Sequence, residues 1–134
     1  MSSLENNLMV LICDDSVLIR KKVRANLEKC KCENILEAEN GEVAVKLTKE
    51  HHPDLVLMDI VMPDKDGIEA LKEIKEYDDQ IKVVMASSVG TQAHLKTALE
   101  HGAFDFIQKP ITLEAITNII EKVLVEKKGG NVGV

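Results

Sequence analysis

Residues 8–16, LMVLICDDS, join an unbroken apolar run to two adjacent carboxylates. An apolar run of this length predicts the interior of a buried strand, and Asp14 and Asp15 then stand at its end. At about 4 Å and an effective dielectric near 20, two such charges repel by about 4 kcal/mol. A turn that points the carboxylates apart into water is the simplest explanation of an isolated pair. A bound cation is the alternative, and the surrounding sequence decides between them.

Outward from this run, apolar segments alternate with helical patterns five times. The predicted strands are residues 9–13, 34–39 (the weakest), 55–58, 82–86 and 104–107. Helical patterns follow at 16–31, 41–52, 67–78, 91–102 and 113–128, with Ser16 as an N-cap and Gly102 as a C-cap. This alternation predicts an α/β fold with a parallel sheet. Five units are too few for an eight-stranded barrel, so we expect an open, doubly wound sheet.

The composition is that of one globular domain. We expect residues 1–134 to form a single domain with a core at about 8–126 and a flexible tail at 127–134. Aromatic residues make up only 2% of the chain, so aliphatic side chains must build the core. No apolar run approaches the roughly 20 residues of a membrane span, and the N-terminus lacks the basic start of a signal peptide. These features predict a cytoplasmic protein without membrane insertion.

Charge and cysteine content exclude further classes. A net charge of −6 argues against direct nucleic-acid binding, which needs a basic face. The chain has three cysteines: Cys13, Cys30 and Cys32. Cys30 and Cys32 could form one half of a zinc site, but no second Cys or His pair lies at the required spacing, so we expect free, structural thiols.

Acidic and other polar residues collect where the predicted strands end. Asp14 and Asp15 follow the first strand, Asp59 the third, Ser87 the fourth, and Lys109 the fifth. Ligands of open parallel sheets bind at this edge. If the first and third strands are neighbours, their ends lie about 5 Å apart and the three carboxylates form one acidic cup. Such a density of oxygen ligands predicts a hard divalent cation, with Mg²⁺ as the natural fit.

The order DD, MDIVMPDKDG, a serine after the fourth strand and DFIQKP closely resembles the receiver domain of two-component response regulators. The resemblance covers roughly residues 8–126, and among receivers the segment at 87–110 is most similar to stand-alone, chemotaxis-type regulators. It implies a flavodoxin-like (βα)5 fold with strand order 2-1-3-4-5. It also implies a phosphoacceptor signalling protein rather than a conventional enzyme.

The resemblance also implies roles for the acidic residues. Asp59 would accept a phosphoryl group from a histidine kinase, a phosphotransfer protein or a small phosphodonor. Asp15, Asp59 and the backbone carbonyl of Val61 would bind Mg²⁺ directly, and Asp14 would act through bound water. Lys109 would place a positive charge near the phosphoryl group.

A switch is implied as well. Ser87 would hydrogen-bond the phosphoryl oxygen, and Phe106 would turn into the space that this movement vacates. The Lys109–Pro110 peptide would be cis, which aims the lysine. The surface formed by the fourth helix, fifth strand and fifth helix would then change for a downstream protein target. An ordinary core position is the alternative interpretation of Phe106.

Two departures from the family pattern matter. Ser88 stands where relatives commonly have Ala or Gly, so access to the phosphoryl group is expected to be narrower. Val61 and Val89, each two residues beyond Asp59 or Ser87, cannot hydrogen-bond an attacking water. We therefore hypothesise a long-lived phosphorylated state.

Other functions were weighed against this one. A calcium loop at 62–73 is rejected because Met62, which cannot supply a carboxylate, occupies the first ligand position. Pro63 directly after it also departs from the pattern of such loops. Haloacid dehalogenase phosphatases have D-x-D after the first strand, whereas this chain has DDS. Two alternatives within the receiver family stay open: an intermediate in a phosphorelay, and a docking module that signals without phosphorylation.

Overall fold

Five strands and five helices alternate along the chain, as the sequence predicts. The computed structural model describes residues 7–62, 65–88 and 93–132, with the backbone alone for 127–132. The strands are β1 (Met9–Cys13), β2 (Asn34–Ala38), β3 (Leu55–Asp59), β4 (Lys82–Ser87) and β5 (Asp105–Gln108). The helices are α1 (Val17–Lys29), α2 (Gly41–His51), α3 (Gly67–Tyr77), α4 (Leu95–Glu100) and α5 (Leu113–Val132).

The strands form one parallel sheet in the order β2-β1-β3-β4-β5. The predicted α/β fold and strand order are therefore confirmed. The register pairs Cys13 with Met58 and Asp59 with Ala86. Because neighbouring strands lie about 4.8 Å apart, this register brings the residues that end β1, β3 and β4 to one edge of the sheet.

Side chains of the sheet pack alternately into two cores. Val10 and Ile12 of β1 face the cluster beneath α1 and α5, whereas Leu11 and Cys13 face the cluster beneath α2, α3 and α4. Both faces are thus covered, which explains why β1 is a continuous apolar run rather than an alternating one. The buried members of both clusters are aliphatic residues, methionines and cysteines, as the low aromatic content predicts.

Side-chain caps fix the starts of α1 and α3, the helices that follow β1 and β3. Ser16 Oγ accepts a hydrogen bond from the Ile19 amide at 3.2 Å, which confirms the predicted N-cap of α1. Asp66 Oδ1 caps α3 through the Glu69 amide at 2.9 Å. Gly102 follows α4 with a φ of +99°, the conformation expected of a glycine after a helix end.

Two helices differ in length from the prediction. The helix predicted at 91–102 is present but shorter than expected: α4 contains Leu95–Glu100, and residues 93–94 are 3-10. Residues 91–92 of this prediction lie outside the described residues. The helix also lacks a side-chain cap, and Ala98 is its buried residue, so little burial stabilises further turns. At the other end, α5 continues past residue 128 to Val132. Flexibility of residues 127–134 stays a prediction.

Among the described residues, none of the helices combines the length and hydropathy needed to cross a bilayer.

Candidate functional site

Three carboxylates meet at the carboxyl edge of the sheet, where the sequence predicts an acidic cup. Asp14 directly follows β1, and Asp59 is the last residue of β3. One carboxylate oxygen from each of Asp14, Asp15 and Asp59 lies within 4.8 Å of the others. Asp14 and Asp59 are buried, whereas Asp15 is exposed. The cup therefore has a buried floor and an open side.

Lys109 follows β5 at the same edge of the sheet and reaches into the cup. Its Nζ lies 2.8 Å from Asp14 Oδ2 and 3.3 Å from Asp59 Oδ1. The Lys109–Pro110 peptide is cis, as the resemblance implies. The Lys109 amide donates to the carbonyl of Ser87 at 2.7 Å, so the ends of β4 and β5 are tied together beside the cup.

The carboxylates differ in how many of their oxygens already accept a hydrogen bond. Both oxygens of Asp14 are engaged, since Oδ1 accepts from the Ser16 amide at 2.9 Å and Oδ2 accepts from Lys109. Within the described part of the chain, the Asp15 carboxylate accepts no hydrogen bond. Asp15 and the second oxygen of Asp59 are thus the groups with free coordinating capacity.

Burial and like charge make Asp59 an unfavourable anion without a cation. Desolvation raises the pKa of Asp59, the charge of Lys109 opposes this, and the charges of Asp14 and Asp15 raise the pKa further. Burial lowers the pKa of Lys109, but its hydrogen bond to Asp14 and the charge of Asp59 reverse this and leave the pKa raised. Lys109 is therefore firmly cationic, and it does not balance the cup alone.

The donor set fits a hard divalent cation. Three carboxylates surround one ammonium group, which leaves an excess of two negative charges when all are ionised. Carboxylate and carbonyl oxygens with access to water are the ligands that Mg²⁺ prefers in proteins. Asp15 and Asp59 could bind such an ion directly, whereas the engaged oxygens of Asp14 favour contact through water.

Ser87 lies at the end of β4, one residue past the partner of Asp59 in the register. The side chain is buried, and its Oγ has no hydrogen-bond partner among the described residues. A buried hydroxyl without a partner costs roughly 1–3 kcal/mol.

The other predicted site residues lie at the surface. Val61 is 56% exposed and Phe106 is 45% exposed, so Phe106 is not an ordinary core aromatic. Ser88 and Pro110 are also exposed. Val89 lies outside the described residues.

Two glycines hold the loop after β3 close to the site, and the sequence reasoning missed this function of both. A Cβ atom on Gly67 would lie 2.0 Å from the carbonyl oxygen of Asp59, and one on Gly41 would lie 2.3 Å from that of Lys65. Any side chain at either position would displace backbone. The motif MPDKDG contains Gly67, but its spacing alone does not reveal the contact.

The three cysteines are buried and form no disulfide within the described part of the chain, as predicted for structural thiols. Cys13 lies under the cup, and its Sγ donates to the carbonyl of Asn40 at 3.3 Å. Burial, together with the charges of Asp14 and Asp59, raises the pKa of Cys13 to about 12. The thiol is therefore neutral and is not a nucleophile of the site.

Comparison with known proteins identifies close relatives along most of the chain. The sequence model of the response regulator receiver domain matches residues 10–121. The chemotaxis protein CheY of Bacillus subtilis is 46% identical over 115 residues, which cover 86% of this chain and 96% of that protein. The chemotaxis protein CheY of Halobacterium salinarum is 45% identical, with coverage of 86% and 95%.

Solved structures agree with the sequence comparison. The receiver domain of NtrX from Brucella abortus has a TM-score of 0.79 at 31% identity and covers 86% of this chain and 97% of that one. The REC domain of the response regulator AraT from Geobacillus stearothermophilus has a TM-score of 0.86 at 24% identity, with coverage of 94% and 99%. The second likeness concerns the fold alone.

Proposed function

The chain belongs to the response regulator receiver domain family, and we propose on that basis that Asp59 accepts a phosphoryl group in a Mg²⁺-dependent reaction. The proposal rests on one observation above all: Asp59 ends β3 within the acidic cup and in contact with Lys109. The donor would be a phosphohistidine on a histidine kinase or a phosphotransfer protein.

The transfer forms one bond and breaks one. A carboxylate oxygen of Asp59 bonds to phosphorus, and the phosphorus–nitrogen bond of the donor breaks. The donor imidazole keeps the electron pair of that bond. With acetyl phosphate, a phosphorus–oxygen bond breaks instead and acetate leaves. A bound Mg²⁺ would supply charge neutralisation for the phosphoryl oxygens and the cup.

The residues of the chain supply position and charge. Asp15, Asp59 and the Val61 carbonyl would hold the ion, and Asp14 would contact it through water. Lys109 already lies 3.3 Å from Asp59 Oδ1, so its positive charge stands beside the oxygens that the phosphoryl group would bring. The partly buried site limits bulk water, which strengthens these interactions.

Ser87 and Phe106 would transmit the modification. The unpaired hydroxyl of Ser87 would donate to a phosphoryl oxygen, and the half-exposed ring of Phe106 would turn inward. The face of α4, β5 and α5 would then present a different surface to a downstream protein target. This change of surface makes the chain a two-state switch.

Intact mass after incubation with acetyl phosphate tests the proposal, with and without Mg²⁺, on the wild type and Asp59→Asn. We expect a gain of one phosphoryl group that requires both Mg²⁺ and Asp59. A folded wild type that gains no mass from acetyl phosphate or from a cognate kinase would contradict phosphorylation and favour a docking module.

The lifetime of the modified state is testable at Val61. Its exposed side chain cannot orient a water, so Val61→Asn should speed dephosphorylation by roughly tenfold, within the usual range for an added positioning group. The decay of the phosphorylated mass over time measures this. Val125→Asn changes an exposed valine of α5 and serves as the control, with an unchanged decay. Equal decay rates in both variants would overturn the hypothesis.

A further inference from the structure

Arg20 of α1 contacts the backbone of the acidic cup. Its Nη1 donates to the carbonyl oxygen of Asp14 at 2.5 Å. The Arg20 side chain is only 13% exposed, so the contact is shielded from solvent. That carbonyl belongs to the peptide group that joins Asp14 to Asp15. The orientation of this peptide sets the directions in which the two carboxylates leave the backbone.

Glu37 on β2 holds the guanidinium of Arg20 in place. Its Oε1 accepts from Arg20 Nε at 2.9 Å, and its Oε2 accepts from Arg24 Nε at 2.7 Å. Burial opposes ionisation of Glu37, but the hydrogen bonds from Arg24 and Arg20 prevail and lower its pKa. Glu37 pairs in register with Ile12, two residues before Asp14. A strand next to β1 thus anchors the arginine that reaches the cup.

The two arginines share Glu37 but differ in their second contact. Arg24 directs its remaining hydrogen bond to the carbonyl of Ile35 at 3.3 Å, away from the site. Only Arg20 of this pair bonds to the peptide of the carboxylates. The amide of Asp14 in turn donates a hydrogen bond to the carbonyl of Ala38 at 3.1 Å. The Asp14 backbone is therefore held from both sides.

We propose that Arg20, held by Glu37, is a positioning residue of the cation site, which orients the Asp14–Asp15 peptide for binding of Mg²⁺. The inference rests on the proposed function of the cup. Residues that orient metal ligands typically change metal affinity by about 10- to 100-fold when they are replaced.

Charge and geometry predict opposite effects of removing Arg20. Loss of a positive charge near the carboxylates would by itself strengthen cation binding, because a repulsive interaction disappears. Loss of the hydrogen bond to the Asp14 carbonyl would weaken binding, because the ligands lose their orientation. The sign of the change therefore separates a positioning residue from a simple charge.

Isothermal titration of the full chain with MgCl₂ tests the proposal on the wild type, Arg20→Ala, Arg20→Lys and Arg24→Ala. We expect Arg20→Ala to weaken Mg²⁺ binding by about tenfold. Arg20→Lys keeps the charge without the two-pronged contact and should weaken binding similarly. Arg24→Ala, which also loses the bond to Glu37, should stay within about twofold of the wild type. Denaturant unfolding of each variant confirms that the folded fraction is the same.

A wild type that binds no Mg²⁺ would refute the cation site and, with it, the proposed function. A wild type that binds Mg²⁺ as tightly as, or less tightly than, Arg20→Ala would refute only the role of Arg20. Glu37→Gln offers a second variant in case Arg20→Ala does not fold. It should weaken binding in the same direction, and Arg20→Lys combined with Glu37→Gln should show less than the sum of the two effects, because the residues act through one contact.

Discussion

Asp59 carries an electrostatic cost that a bound cation would relieve. Its pKa is raised by burial and by the neighbouring carboxylates, so its ionised form destabilises the metal-free fold at neutral pH. Asp59→Asn removes that charge and should raise the free energy of unfolding without Mg²⁺ by about 1 kcal/mol, the usual scale of single substitutions. Mg²⁺ at ten times its Kd should stabilise the wild type by about 1.4 kcal/mol and the variant much less. Urea unfolding with and without MgCl₂ measures both effects.

Asp79→Asn is the matched control for this comparison. Asp79 is an exposed acid in the turn between α3 and β4, so its replacement changes the net charge equally without touching the cup. It should leave both the stability and the Mg²⁺ effect close to those of the wild type. Equal behaviour of the two variants would mean that overall charge, rather than the local site, governs stability.

Ser87 offers a second residue-level prediction, because its buried hydroxyl has no partner among the described residues. Ser87→Ala should unfold at an equal or higher urea concentration than the wild type, since no hydrogen bond is lost. It should still accept the phosphoryl group but lose the accompanying change at Phe106. Thr48 on α2 is the control, because its buried hydroxyl also has no hydrogen-bond partner among the described residues. Thr48→Val should preserve stability and the switch alike, and loss of the switch in both variants would contradict the role of Ser87.

The residues that sequence reasoning located are those whose position follows from strand ends alone. Asp14, Asp59 and Lys109 each follow or end an apolar run, and the fold brings such ends together. The role of Arg20 was not predicted, because its contact depends on where a long side chain lies across a helix–strand interface. Gly67 escaped because its role is the absence of a side chain near a carbonyl oxygen. Neither the position of a long side chain nor the need for a missing side chain produces a recognisable spacing of residues in the sequence.

At the scale of elements, the prediction depends on how much burial supports each one. The strands lie within one residue of their predicted bounds, and the continuous apolar runs of β1 and β3 mark these two most clearly. In α4, by contrast, Lys96, Thr97 and Leu99 are exposed, so helical spacing in the sequence did not correspond to a buried stripe. Weak packing, rather than low helix propensity, therefore accounts for the short length of this helix.

The junction between β3 and α3 supports a prediction at this scale. A methyl group on Gly67 would collide with the Asp59 carbonyl, so Gly67→Ala must shift either the strand end or the helix start. We expect a loss of about 1–3 kcal/mol in stability and about tenfold weaker Mg²⁺ binding, because the Asp59 carboxylate moves with its backbone. Urea unfolding and calorimetric titration measure the two quantities.

Gly102→Ala separates damage to the site from general destabilisation. Gly102 has a φ of +99°, so alanine there should also lose about 1 kcal/mol or more. It lies after α4, and the nearest neighbours of a new Cβ would be atoms of the flexible Lys75 side chain. Mg²⁺ affinity should therefore be unchanged. Weaker Mg²⁺ binding in Gly102→Ala would show that the site responds to any loss of stability.

At the scale of the whole molecule, a line of backbone contacts joins the cup to the far edge of the sheet. Asp59 pairs with Ala86, Ser87 pairs with Gln108, and the Lys109 amide bonds to the Ser87 carbonyl. A displacement of Ser87 toward the cup would therefore also shift the backbone of β5. Phe106 lies two residues before Gln108 on that strand, which is how modification of Asp59 could alter a surface remote from it.

The chain has only two phenylalanines, so fluorine NMR can follow this coupling directly. With fluorophenylalanine incorporated, beryllium fluoride and Mg²⁺ as a stable mimic of the phosphoryl group should move the Phe106 resonance and reduce its solvent-isotope shift, because the ring turns inward. The ring of Phe104, half-buried beneath the ammonium of Lys82 at 5.6 Å, should move little. Phe104→Leu assigns the two signals.

Two variants complete the experiment. Asp59→Asn should abolish the response because no adduct forms, whereas Ser87→Ala should bind the mimic without moving Phe106. A wild type that forms the adduct with both resonances unchanged would refute the coupling while leaving phosphorylation of Asp59 intact. Equal movement of both rings would instead mean that the whole sheet rearranges. The pattern of the two signals therefore distinguishes a local rotation of Phe106 from a global change, because half-buried Phe104 directly precedes β5, whereas exposed Phe106 lies on that strand.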